Sequence, residues 1–245
     1  MATAVIGIGA LGGTIARLLT SSGEPVAVAA RNLNDAARFA SDLGGLARAG
    51  SVDEAIADAD AVVLAVMWQT ATNLVAEYAN LLADKVVIDP SHPLAIDEKG
   101  MLIQRDGMFS RNLPEGISSG AVIAGLLPDG AHYVKAFGTL IAADLASLAG
   151  RSPERAALLY ATDDDQAATT VERLISVVGF DPVKIGGVAD TTRIENPGGD
   201  LTQYGAVFQG RPPTAAEVRA ALDPANRNRA NHPVPPADRP TGNRR

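Results

Sequence analysis

The stretch Thr3-Ala-Val-Ile-Gly7-Ile-Gly9-Ala-Leu-Gly12-Gly-Thr-Ile-Ala-Arg-Leu-Leu19 decides how the rest of the chain is read. An apolar run breaks into glycines and then continues with helical periodicity, which is the order strand, turn, helix. Gly7 permits a tight turn out of the strand, Gly9 lets backbone approach a pyrophosphate with no Cβ in the way, and Gly12 lets the helix pack close to the sheet. The helix N-terminus then offers free N–H groups and a partial positive charge to phosphates. Such a glycine pattern also occurs in ordinary α/β turns, so its partner is sought about 20 residues further on.

That partner belongs at the end of the second strand, within Glu24-Pro-Val26-Ala-Val28-Ala-Ala30-Arg31-Asn32. An NAD enzyme usually carries Asp or Glu there to hold the ribose 2′-hydroxyl. Here Ala30 is followed by Arg31 and Asn32, and a guanidinium matches a 2′-phosphate in charge and in fork geometry. The pattern reads as NADP(H) binding; the alternative is that Arg31 is a solvated residue at a strand end.

The length of 245 residues suits one large α/β unit with a modest addition. A net charge of −7 argues against general nucleic-acid affinity. With no cysteine, and histidine only at positions 92, 132 and 232, neither a thiolate nucleophile, a disulfide framework nor a structural zinc site is expected. No apolar run has the length to cross a bilayer and no basic leader precedes the first strand, so no membrane partner and a cytoplasmic location are expected.

Further along, Asn34 is placed to cap a helix to Leu43, Leu46 to Ala49 is a poor strand candidate, and Ser51-Val-Asp-Glu54 is a capping box for a helix over 52–58. Asp60 to Val66 reads as a central parallel strand ending at Met67-Trp68-Gln69-Thr70, where an open α/β sheet presents its ligands. Trp68 either lines the cofactor cleft or is a plain core or surface anchor. Thr70 or Thr72 is expected to cap a helix to about Leu82, followed by strand Lys85–Asp89 and the loop Pro90-Ser-His92-Pro93. Its two prolines fix the backbone, so His92 either meets the nicotinamide ribose or satisfies a loop hydrogen bond.

Residues 94–115 read as a surface excursion. Ser118 or Ser119 starts the next helix, and His132 to Phe137 forms a strand that turns out through Gly138-Thr-Leu140. His132 and Lys135 are read as solvated strand residues, with alternation turning one of them away from any pocket. Arg155 to Tyr160 is a strand, 164–178 a helix and 179–186 another strand. The acids Asp163 to Asp165 fit a helix N-terminus better than a metal site. Thr214-Ala-Ala-Glu217 caps a last helix before a Pro-, Asn- and Arg-rich tail. The fold class is therefore α/β: a Rossmann-type, doubly wound, mostly parallel sheet with a small C-terminal α/β addition. The expected divisions are a cofactor domain over 1–137, a substrate or cap region over 138–208 and a basic Pro-rich extension over 209–245.

The sequence resembles the coenzyme F-420 (8-hydroxy-5-deazaflavin) dependent NADP oxidoreductases from residue 3 to about residue 207. The resemblance rests on Gly-Ile-Gly-Ala-Leu-Gly (7–12), Ala-Ala-Arg-Asn (29–32), Val-Leu-Ala-Val-Met-Trp (63–68), Tyr-Val-Lys-Ala-Phe-Gly-Thr-Leu (133–140), Ala-Thr-Asp-Asp (161–164) and Val-Gly-Phe-Asp-Pro (178–182). It implies that Gly7, Ile8, Gly9, Ala10, Leu11 and Gly12, with Ala30, Arg31 and Asn32, hold the NADP phosphates. Val66 and Thr70 would flank the adenosine-side cleft, Met67 and Trp68 stand with them as cofactor-binding candidates, and His92 and the turn from Gly138 to Ala142 would lie near the nicotinamide. Coenzyme F-420 would be the co-substrate and the chain a homodimer. Two departures are Gly138, where members often carry Asn or His beside the exchanging hydride, and Asn196-Pro-Gly-Gly199, which interrupts a segment that tends to continue helically.

The implied activity is hydride transfer between NADP(H) and a deazaflavin or similar small-molecule acceptor, a reaction that needs little acid–base chemistry and for which no catalytic acid is named. The alternatives are an NADPH-dependent reductase of a flavin, quinone or imine, and a non-catalytic NADP-binding regulatory protein.

Overall fold

A computed structural model of the chain describes residues 2–223. In chain order the elements are β1 (Thr3–Ile6), α1 (Ala10–Ser21), β2 (Val26–Ala29), α2 (Leu33–Leu43), β3 (Ala47–Ala49), α3 (Val52–Ala57), β4 (Ala61–Leu64), α4 (Trp68–Glu77), α5 (Ala79–Leu82) and β5 (Val86–Asp89). There follow a small hairpin of β6 (Gln104–Arg105) and β7 (Met108–Phe109), then α6 (Ser119–Leu126), β8 (His132–Lys135), α7 (Ala142–Leu148), β9 (Ala157–Ala161), α8 (Asp165–Val177) and β10 (Asp181–Gly186). A 3-10 helix (Val188–Ile194) and α9 (Ala215–Leu222) close the described chain.

The main sheet has the order β10-β9-β8-β5-β4-β1-β2-β3. From β3 to β8 every pairing is parallel, and the chain's direction of travel through the sheet reverses between β1 and β4. That is the doubly wound arrangement, with its ligand crevice outside the carboxyl ends of the strands at the reversal. Strands buried on both faces need apolar side chains in both alternating sets. Accordingly Val5, Val28, Val63, Ile88 and Val134 join α1, α2, α7 and α8 in one core. Ala4, Ile6, Val62, Leu64 and Val87 join α3, α4, α5 and α6 in the other.

β9 then runs antiparallel to β8 through the single pair Lys135↔Ala161, and β10 is parallel to β9. Residues beyond 138 thus lengthen the sheet by two strands. Leu159, Val183 and Ile185 from these strands meet Ile194, Leu201, Phe208 and Val218 in a third core. With one ladder pair at the join, a side chain adds a tie: the buried Thr162 hydroxyl donates to the Tyr133 carbonyl at 2.6 Å.

Several local expectations are corrected. Ala47–Ala49 is a strand after all, because pairing with β2 supplies what its own propensity lacks. Asn32, not Asn34, caps α2, its side chain accepting from the Asn34 N–H at 2.9 Å. Neither Thr70 nor Thr72 caps α4. The helix begins at Trp68 directly after Met67, Thr72 donates to the Gln69 carbonyl inside it, and it breaks at Tyr78. The excursion over 94–115 contains the β6–β7 hairpin, tied at its base by Gln69 Nε2 donating to the Leu94 carbonyl at 3.2 Å. Of the extension expected over 209–245, α9 and its Thr214–Glu217 capping box are seen, and positions 224–245 lie outside the described residues.

Thr162→Val removes the side-chain tie between the sheet and its added strands while keeping side-chain shape. A loss of about 1 kcal/mol in urea unfolding is expected, with faster amide exchange confined to β9 and β10.

Candidate active site

The glycine turn is built by steric necessity. Gly7 has φ +100°, and a Cβ on it would lie 2.4 Å from the Ala65 carbonyl oxygen. A Cβ on Gly12 would stand 2.0 Å from the Gly7 carbonyl oxygen, so α1 starts as close to the exit of β1 as backbones permit. Gly9 differs, because a Cβ there would meet nothing within 4 Å. What Gly9 keeps clear is open space in front of the helix. No side chain caps α1 and no acid stands in its first turn, so its leading N–H groups remain available to an anion. Ile8, Ala10 and Leu11 complete this rim, and Val66, leaving β4 across the crevice, packs against Gly7.

One strand away, Ala30 is half-buried while Arg31 and Asn32 are exposed. The Asn32 side chain is spent on capping α2, which leaves its backbone and the Arg31 guanidinium to face a ligand. Arg31 makes no hydrogen bond or ion pair with another described residue. Met67 and Trp68 are half-buried at the head of α4, Thr70 is exposed, and the indole N–H of Trp68 is enclosed without a partner among the described residues.

His92 and Gly138 come together at the other end of the edge. His92 Nε2 donates to the Gly138 carbonyl at 2.8 Å and Nδ1 accepts from the Asn196 N–H at 3.1 Å. Because an amide N–H only donates, Nδ1 must be bare and the ring neutral. Loss of hydration, then the nearby Lys135 ammonium, bring its pKa from 6.5 to about 4, although the Gly138 carbonyl and the Asp89 and Glu195 carboxylates act the other way. His92 is therefore the staple of three segments, the loop-satisfying role left open by the sequence.

Gly138 also has a different meaning from the one its identity suggested. A Cβ there would lie 2.5 Å from the Pro90 carbonyl oxygen and 3.1 Å from the His92 ring. Its bareness is demanded by the contact between two loops. Phe137 just before it is buried with φ +65°, a strained conformation for a bulky side chain. Ala142 is the first residue of α7, beyond the turn.

The residues that sequence reasoning missed lie beneath these loops. Lys135, expected in solvent, is 2% exposed. Its Nζ donates to Asp89 Oδ2 at 2.9 Å, the Ser91 carbonyl at 2.8 Å and Ser119 Oγ at 3.3 Å, with Glu195 Oε1 at 3.7 Å. Asp89 also accepts from the Tyr133 hydroxyl at 2.9 Å. Glu195 is fully enclosed and takes the Ser118 hydroxyl at 2.6 Å and the N–H groups of Ser119 and Gly120 at 3.1 and 2.9 Å, with Arg111 at 3.4 Å. Burial raises both carboxyls, but Lys135 and these hydrogen bonds outweigh it and hold them below their ordinary values. Alternation did turn His132 the opposite way, onto Asp164 at 2.7 Å. The signal for Lys135 was its register partner, since Asp89 and Lys135 are neighbours in the β5–β8 pair.

Arg31 and the His92–Gly138 contact lie three to four strands apart, about 14–19 Å at the usual strand spacing. A helix N-terminus and an open glycine lie between them. The cradle fits an extended dinucleotide diphosphate with a cationic group at one end and a tight, neutral loop junction at the other.

The fold is the Rossmann-type α/β fold of NADP-binding proteins. Residues 2–93 match the family model described as NADP oxidoreductase, coenzyme F-420-dependent. Among solved structures, a hypothetical protein from Sinorhizobium meliloti is 28% identical, with a TM-score of 0.71 over 82% of this chain and 93% of that one. A protein from an Arthrobacter species, titled an F-420-dependent NADP reductase by assignment, is 23% identical, with a TM-score of 0.64 over 78% and 86% of the two chains. An imine reductase from Streptomyces aurantiacus is 18% identical, with a TM-score of 0.54 over 77% and 58%. The latter two show likeness of fold alone. No curated protein matches the chain. No described helix is long and apolar enough to cross a membrane.

Since the neutral His92 staple is the folded form, the folded chain refuses a proton that the unfolded chain accepts between pH 6.5 and about 4. Stability should fall with pH across that window, by at most about 1.4 kcal/mol per pH unit from this group. Urea unfolding at pH 7 and pH 5 should show this slope in the native chain and a shallower one in His92→Gln.

Proposed function

We propose that this chain carries a hydride between NADP(H) and coenzyme F-420 or a closely similar planar ring acceptor. The observation that carries the cofactor half is Arg31: an exposed guanidinium without a described partner at the end of β2, where no carboxylate stands to bind an unphosphorylated ribose. The acceptor half rests on the family match over residues 2–93 and on the resemblance of the motifs beyond it.

The dinucleotide supplies the hydride-carrying nicotinamide. The chain's own work is binding and placement. The α1 N-terminus and Gly9 receive the pyrophosphate, Arg31 receives the 2′-phosphate, and the junction of residues 90–92 with 137–139 forms the floor at the nicotinamide end. Hydride transfer between two rings asks for faces about 3–3.5 Å apart and for exclusion of water. Hydride uptake leaves an anion on the acceptor ring, and its proton comes from solvent rather than from His92, whose two nitrogens are both engaged, or from Lys135, whose three protons are all given to described acceptors. The polar group that a larger residue at 138 would bring has no room here, so acceptor recognition falls to other groups on this edge.

Anaerobic mixing of NADPH with oxidised coenzyme F-420 should bleach the deazaflavin band with catalytic protein. Turnover of a flavin, quinone or imine instead would replace the acceptor, and tight NADP binding without turnover of any of them would make the chain a binding protein. Arg31→Glu is expected to cost NADPH about tenfold to a hundredfold in affinity, the range for losing one charge-assisted contact, while sparing NADH. Equal binding of NADPH and NADH by the native chain would end the phosphate reading. Gly9→Ala should leave unfolding within about 0.5 kcal/mol of the native value and still weaken NADPH binding at least tenfold in a fluorescence titration.

A further inference from the structure

Hydride transfer makes no use of one part of the site, the enclosed charges beneath the loops. Asp89, Glu195, Lys135 and Arg111 sum to zero, and all but Arg111 are almost wholly removed from water. Burying such a set yields little stability over apolar side chains of similar volume, because desolvation consumes most of the attraction. What it does supply is direction, since each bond requires a particular atom in a particular place.

The segments that Lys135 joins are those at the nicotinamide end. From β8 its ammonium reaches the side chain of Asp89 at the end of β5, the Ser91 carbonyl in the next loop and the Ser119 hydroxyl at the head of α6. Glu195 seals the far side against the same helix and Arg111. The residues adjoining these anchors, His92 and Asn196, are the ones stapled to each other and to Gly138. The two loops are thereby tied by charge at Ser91 and Glu195 and by the imidazole between His92 and Asn196.

We infer that Lys135 is a positioning residue for hydride transfer, setting the loops of residues 90–92, 137–139 and 195–196 in the arrangement against which the nicotinamide ring is held. The inference rests on the proposed NADP(H) reading. Lys135 touches no reacting atom. It acts through the Ser91 carbonyl and Asp89, whereas the phosphate-binding groups at β1, α1 and β2 lie outside its reach. Its loss should therefore separate chemistry from binding.

Lys135→Met alone strands Asp89 without its cation and can unfold the chain. The test therefore pairs Lys135→Met with Asp89→Asn, which keeps the charge balanced because Arg111 still meets Glu195. Expected are a native near-ultraviolet dichroism spectrum, an NADPH dissociation constant within about threefold of the native value, and kcat reduced at least tenfold. Amide exchange should quicken at residues 91–94 and 195–199 but not around Gly7 to Gly12. An unchanged kcat, unchanged exchange at those loops, a loss of NADPH affinity as large as the loss of kcat, or a double variant that does not fold would each overturn the inference. A native chain that binds NADPH but leaves coenzyme F-420 untouched would remove the acceptor reading only. The affinity and exchange measurements would still decide the role of Lys135, and another acceptor that the chain reduces would serve for kcat.

Discussion

The approach of α1 to the end of β1 governs the rest of the molecule. With 2.0 Å between the Gly7 carbonyl oxygen and the place where a Cβ of Gly12 would stand, only glycine lets the helix start there. That start places bare N–H groups at the carboxyl edge of the sheet, next to the reversal between β1 and β4. Everything downstream uses this edge, because parallel strands end on the same side and their loops gather there. The exposed Arg31, the open face of Gly9 and the His92 junction share one edge as a consequence of one topology.

The two ends of the edge solve different problems. At β2 the chain presents a solvated cation, which costs little to maintain and can meet a phosphate with its fork. At β5 and β8 it encloses charge, which is costly unless every bond is made. Lys135, Asp89 and Glu195 make those bonds with the head of α6 and with Tyr133, Ser91 and Ser118. The end at β2 stays open to solvent, and the enclosed end holds its shape.

Legibility follows the reach of each interaction along the chain. The first strand, turn and helix, the capping boxes at Ser51 and Thr214, and the amphipathic α8 are readable because their determinants lie within a few residues. Ala47–Ala49 is not, since its strand character comes from pairing with β2. Gly138 reads in sequence only as a departure from a resemblance, whereas in the fold it is a contact with Pro90, nearly fifty residues earlier. Lys135 reads as solvated because one strand considered alone gives its alternation but not what covers each face. The cover comes from α6 and from Glu195, which no local pattern connects to β8.

By itself the sequence determined the class of fold and most of its elements, because glycine spacing and apolar alternation are local properties. Tertiary structure alone decided which buried groups meet: the antiparallel ninth strand, the neutral tautomer of His92, and the union of Asp89, Lys135 and Glu195. Those depend on residues from 26 to 104 positions apart reaching one another, as the separations of Lys135 from Ala161, Lys135 from Ser91, Ser119 from Glu195 and His92 from Asn196 show. Only packing of the completed sheet against its helices brings such distant groups within hydrogen-bonding range.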